Sequence, residues 1–143
     1  MKRFVLFCAL IIGLVIGAKA QAVEHPEKGS PERAAILDTV RPAVEGKLKQ
    51  KIVFIIHTIN MQSNWVFVDG RLRTPDGKVP SWKNTPYAQA AQYGAQSDGI
   101  SALLKRSGGG WHIVTYAVGC TDVCYADWWK RYKAPKTVFP YTE

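Results

Sequence analysis

Between Ser30 and Leu48 apolar residues recur as Ala34, Leu37, Val40, Val44 and Leu48, with Ile36 beside them, which is the three-to-four spacing of one buried helical stripe. Ser30 suits the N-cap, Pro31 the first helical position and Glu32 the positive end of the helix dipole. A helix over 31–48 is predicted, bent or ended between Pro42, which removes an internal hydrogen bond, and Gly46. From Lys51 the pattern changes to a β-branched and aromatic run, Ile52 to Ile59, which predicts a strand. Gln62-Ser63-Asn64 reads as a turn, and 65–72 as the returning strand, with Trp65 and Phe67 on one face and Val66 and Val68 on the other.

A second hairpin follows, 99–106 returning as 111–118 around Ser107-Gly108-Gly109-Gly110, whose glycines supply the positive φ of a tight reversal. The long connection over 73–98 carries a Pro75-Asp76-Gly77 turn and a short helix predicted over 87–93 behind Thr85-Pro86. After Cys124, residues 125–132 predict one or two helical turns that Pro135 stops. One amphipathic helix and two hairpins make an α+β layer, the N-terminal helix packed on the concave face of a curved antiparallel sheet of about four strands. Trp65 and Trp111 are expected against the helix, and Trp128 across the end of the sheet.

Met1-Lys2-Arg3, the 14-residue apolar stretch from Phe4 to Gly17 and Ala18-Lys19-Ala20 have the form of a secretory signal over 1–20. A bilayer-spanning helix needs about 20 apolar residues, so the stretch is short for an anchor, and no stable membrane insertion is expected after cleavage behind Ala20 or Ala22. Residues 21–29, polar and carrying Pro26 and Gly29, read as a flexible leader, and 30–143 as a single domain exported to a periplasm or the extracellular space. Export leaves Cys120 and Cys124, an even pair in an oxidising compartment, which predicts a disulfide over a redox or copper pair.

The 143 residues, 47% apolar and 21% charged, exclude a disordered or collagen-like chain. Beyond residue 20 there are 16 basic and 11 acidic side chains, a net charge of +5, with the cations mostly single. That distribution argues against nucleic acid and for weak attraction to anionic envelope polymers or secreted proteins.

The order of elements resembles the cystatin-like and nuclear-transport-factor-2-like group of folds, and the local strings resemble a class of small exported bacterial proteins of unassigned activity. The strings are Arg33-Ala34-Ala35-Ile36-Leu37-Asp38 with Arg41-Pro42, Asn64-Trp65-Val66-Phe67-Val68, Gly108-Gly109-Gly110-Trp111-His112-Ile113-Val114 and Thr121-Asp122-Val123. These motifs are structural, and the fold group hosts enzymes, inhibitors and binding modules, so the resemblance implies a scaffold and no particular reaction.

No motif in the chain specifies a reaction. His57 and His112, paired across a sheet, would make a metal edge or a general base, but no third ligand accompanies them and a rim role is the simpler expectation. Asp69-Gly70 and Asp98-Gly99 read as turn chemistry at strand ends, and Thr121-Asp122 as a cap, with Asp127 the remaining candidate carboxylate. No catalytic residue, cofactor or metal is assigned. Five tryptophans and six tyrosines exceed what so small a core needs. Aromatic rings beside cations anchor protein partners and sugar faces, which makes Trp82, Tyr87 and Tyr93 on the connection, and Trp129, Lys130 and Arg131 near the C-terminus, the candidate binding surface.

The leading expectation is therefore an exported, non-enzymatic binding module for a protein, peptide or envelope polymer, inhibition of a secreted enzyme being one form. The alternative is a pocket protein that holds a small apolar ligand between helix and sheet, or moves a proton with an aspartate base and Tyr87 or Tyr116 as donor.

Overall fold

The computed structural model describes residues 21–143; the secretory-signal expectation falls on 1–20, outside the described residues. Helix α1 (Pro31–Leu48) precedes strands β1 (Val53–Gln62), β2 (Trp65–Arg73), β3 (Gly99–Ser107) and β4 (Gly110–Val118), with short helices α2 (Ala88–Gln92) and α3 (Trp128–Arg131) and a final 3-10 turn Lys136–Val138. The strands form one antiparallel sheet in the order β1-β2-β3-β4, so the fold is α+β with two sequential hairpins.

Ser30 caps α1 by accepting from the Arg33 amide at 3.2 Å, with Pro31 inside the first turn. The helix neither ends nor breaks between Pro42 and Gly46 and continues to Leu48. Pro42 lies on the exposed side, while Val44 and Leu48 beyond it are buried and hold the last turns to the sheet. Packing thus outweighs the hydrogen bond that Pro42 removes. Lys49 ends the helix in the left-handed conformation, φ 55°, its amide donating to the Glu45 carbonyl.

One face of the sheet meets α1. Ile36, Val40, Val44 and Leu48 pack on Val66, Val68 and Leu72 of β2, Ile100, Ala102 and Leu104 of β3, and Trp111 and Val118 of β4. Trp65 corrects the sequence reading: it shares its parity with Phe67, and the alternating Val66 and Val68 are what the helix covers. Trp65 lies instead on the second face with Phe67, Leu103, Trp128, Ala134, Val138 and Phe139.

Both outer strands shift register once, β1 between Ile56 and Thr58 and β4 opposite Leu103 and Leu104. His57 and Val114 are the extra residues. Each bulge flips the alternation, so Phe54 and Ile56 but then Ile59 and Met61 face the helix, and likewise Trp111 and Ile113 but then Tyr116 and Val118. Gly108 and Gly109, φ 58° and 83°, form the two-residue turn between β3 and β4. The segment before α1 is tied to the first hairpin, where Glu24 and Met61 exchange backbone hydrogen bonds of 2.7 and 2.8 Å at the outer edge of β1 and Gln21 accepts from Gln62 Nε2 and from the Ser63 hydroxyl.

Candidate functional site

The C-terminal segment covers only part of the second face. Phe67 packs on Tyr125, Phe139 and Trp128 at ring-centroid distances of 4.7, 5.0 and 6.4 Å, closing the half of the face nearer the hairpin turns. Asn60 Nδ2 donates to the Val138 carbonyl at 2.9 Å and fastens the 3-10 turn to β1. Toward the other end of the strands this cover stops, and a recess of about 320 Å³ opens between the sheet and the loop over 120–125.

Its floor is built by the pairing of Asp69 on β2 with Thr58 on one side and Ser101 on the other. Asp69 therefore lies inside a strand, not at a turn as Asp69-Gly70 had been expected to. The following glycine answers to the bulge: a Cβ on Gly70 would collide with the Ile55 carbonyl oxygen, so the strand can cross beneath His57 only where no side chain intervenes. Ser101, 5% exposed, is the buried polar residue of the core, and its hydroxyl donates to Asp69 Oδ1 at 2.7 Å.

The walls come from two loops. The Ser97 hydroxyl donates to the Cys120 carbonyl at 2.7 Å and accepts from the Gly99 amide at 3.1 Å, tying the start of β3 to the segment after β4. The Cys120 and Cys124 sulfurs are at disulfide distance, 2.19 Å, which closes that segment on itself. Asp98 at the rim is ion-paired with Arg73 and lies 4.0 Å from Arg71, while Asp122 Oδ1 accepts from the Val123 amide at 2.7 Å. The Tyr125 phenol lines the recess; burial, and then the Asp69 charge, push it above the ordinary tyrosine range, so it stays protonated through neutral pH.

The sequence-selected residues fall into separate groups. Trp82 and Tyr87 meet edge to face at 6.0 Å and pack on the helix-side core, and Trp82 lines a shallow groove with Val79, Ala88 and Ala91. Tyr93, at the end of α2, is 79% exposed. Trp129 belongs to the opposite face, its indole N–H donating to the Glu143 carbonyl at 2.9 Å and its ring covered by the Lys136 ammonium at 4.6 Å. Lys130 and Arg131 are exposed, Arg131 bonding Asp127 at 2.6 Å. The connection and the C-terminal segment thus do not join into one aromatic-basic surface, because the sheet lies between their tryptophans.

His57 and His112 are likewise kept apart, on the two opposite edge strands. Among the described residues no group of three or more His, Cys, Asp or Glu side chains is placed to hold a metal. Tyr87 and Tyr116 pack on the helix side, whereas three of the candidate carboxylates, Asp69, Asp98 and Asp122, line the recess on the other side, where the tyrosine is Tyr125. Ser97, Ser101, Arg71 and Tyr125 had not been singled out. The signal that existed was the pair His57 and Gly70, each interrupting an otherwise apolar or alternating strand.

No family model matches the chain, and no curated protein or solved structure matches it. No helix among the described residues is long and apolar enough to cross a membrane.

Proposed function

We propose that the protein is an exported, non-enzymatic binding module that seats part of a protein, peptide or envelope polymer in the recess beneath the 120–125 loop. The observation that carries the reading is the incomplete cover of the second face: a polar floor of Asp69 and Ser101 lies open between a packed aromatic plug and a cross-linked loop. Concave sites with a few convergent polar groups are where ligands gather. Export is supported by the form of residues 1–20 and by a cysteine pair at bonding distance, a linkage that persists in oxidising compartments. One helix laid on an antiparallel sheet supports kinship with the cystatin-like and nuclear-transport-factor-2-like scaffolds.

The alternative, an apolar ligand between helix and sheet, has less support. Ile36, Val44, Val66, Leu72 and Leu104 are wholly buried there and fill the space such a ligand takes. The test is a fragment screen read by amide chemical shifts on isotopically labelled protein. Perturbations centred on 57, 69–71, 97–101 and 117–125 are expected. Perturbations centred instead on Trp82 and Ala88, or on Trp129, would move the site elsewhere.

A further inference from the structure

We infer that the group seated on the recess floor is a cationic N–H donor, the ammonium or guanidinium head of a basic side chain in a partner polypeptide. This rests on the reading of the recess as the ligand site.

The inference follows from where the floor's own protons go. A serine hydroxyl has one proton to donate. Ser101 gives its proton to a carboxylate and Ser97 gives its own to a backbone carbonyl, both of which only accept, so neither has a proton left for a ligand. Asp69 uses Oδ1 for Ser101, and among the described residues no arginine, lysine or histidine nitrogen lies within ion-pair distance of it. The floor is thus rich in acceptors and poor in donors. Of the floor's described side-chain hydroxyls, that of Tyr125 is the one without an assigned acceptor for a ligand that brings acceptors; a ligand that brings N–H groups meets a carboxylate oxygen and the lone pairs of hydroxyls.

Charge leads to the same conclusion. Asp69, Asp98 and Asp122 line the recess; Asp98 is taken up by Arg73 and faces Arg71, whereas Asp69 and Asp122 have no cationic side chain within ion-pair distance among the described residues, in a chain whose overall balance is basic. Arg71 stands at the rim, 56% exposed and turned toward Asp98, with His57 exposed on the bulge beside the mouth. The recess is accordingly graded, acceptors below and donors above. A lysine or arginine of a polypeptide fits that gradient, its head on the floor and its backbone carbonyls at the rim, whereas a free amine uses only the lower part.

The test titrates the labelled protein with butylammonium, methylguanidinium, butyrate and butanol, and with an end-blocked peptide carrying one central lysine. Both cations are expected to shift the amides of Asp69, Gly70 and Ser101 saturably, with butyrate and butanol inert there. Asp69→Asn, which preserves the acceptor for Ser101, is expected to weaken cation binding at least tenfold with the circular dichroism unchanged. The peptide is expected to bind at least tenfold more tightly than butylammonium; equal affinity would overturn the polypeptide assignment in favour of a small amine. Butyrate binding with both cations silent would overturn the cation while leaving the recess as the site. Silence of every probe at these amides would remove both readings.

Discussion

The two faces of the sheet are closed in different ways. Across one, α1 lays a continuous aliphatic stripe of Ile36, Val40, Val44 and Leu48 from end to end. Across the other, an irregular C-terminal segment uses large rings, Phe139, Trp128 and Tyr125 around Phe67, and covers only the part those rings reach. A regular helix keeps presenting side chains at fixed intervals and so can close a whole face; a segment without repeat closes by individual anchors. What the anchors leave open is where Asp69 and Tyr125 meet solvent, with Ser101 buried behind Asp69. The proposed seat thus uses the part of the second face that the rings do not reach.

The largest expected effects come from the anchors themselves. Phe67→Ala should destabilise by about 3–5 kcal/mol in urea unfolding and Ile36→Ala by about 2–5 kcal/mol. Only Phe67→Ala should also collapse the near-ultraviolet aromatic circular dichroism at low denaturant. A loss below about 1 kcal/mol for Phe67→Ala would mean that the C-terminal segment does not close its half of the sheet. Next in size is Gly70→Ala, expected to cost about 1–3 kcal/mol because the added Cβ displaces the β1 bulge. Amide shifts should change at His57 and Asp69 and stay fixed along α1; changes confined to the helix face would contradict the placement.

Replacing both Cys120 and Cys124 with Ser should cost about 2 kcal/mol, the entropic contribution of so short a loop. That loss should add to that of Ile36→Ala, since the two sites share no partner. Strong coupling between them in a double-mutant cycle would join faces that we describe as independent.

The smallest effect concerns Glu32, at the helix-face edge. Its carboxylate accepts from Arg106 and from the Trp111 indole N–H, and the Arg106 hydrogen bond, joined by that of Trp111, holds its pKa below the ordinary glutamate value. Because the folded pKa is the lower one, this stabilisation is fully present above the unfolded value of about 4.3 and is lost as pH falls through the folded value. Glu32→Gln should therefore be less stable than the parent by about 1 kcal/mol near neutrality, the half-exposed setting moderating the loss, with the gap closing in acid. A gap that persists unchanged at pH 2 would assign the effect to packing.

The elements themselves were legible in the sequence. The Ser30 cap, the helical stripe and the Gly108-Gly109 reversal are local signals, and each stands where its spacing placed it. Which face of β2 the helix would take was not legible, because Trp65 with Phe67 and Val66 with Val68 are both apolar sets and alternation alone does not rank them. The bulges were missed for a related reason: Ile55, Ile56 and Ile59 remain apolar whichever way the parity runs. The recess depends on strands three elements apart and on a segment that returns from the C-terminus. Asp69-Gly70 consequently looked like a turn, and only the neighbouring Ile55 carbonyl explains the glycine.

The meander has a consequence in time. Each strand pairs with the one before it, so the sheet can assemble from neighbouring stretches of the chain. The anchor at Phe139, by contrast, has to close a long loop to reach Phe67 on β2. The second face is therefore covered only once β2 is in place, and a chain without the Phe139 ring would keep its strand pairing and expose Phe67.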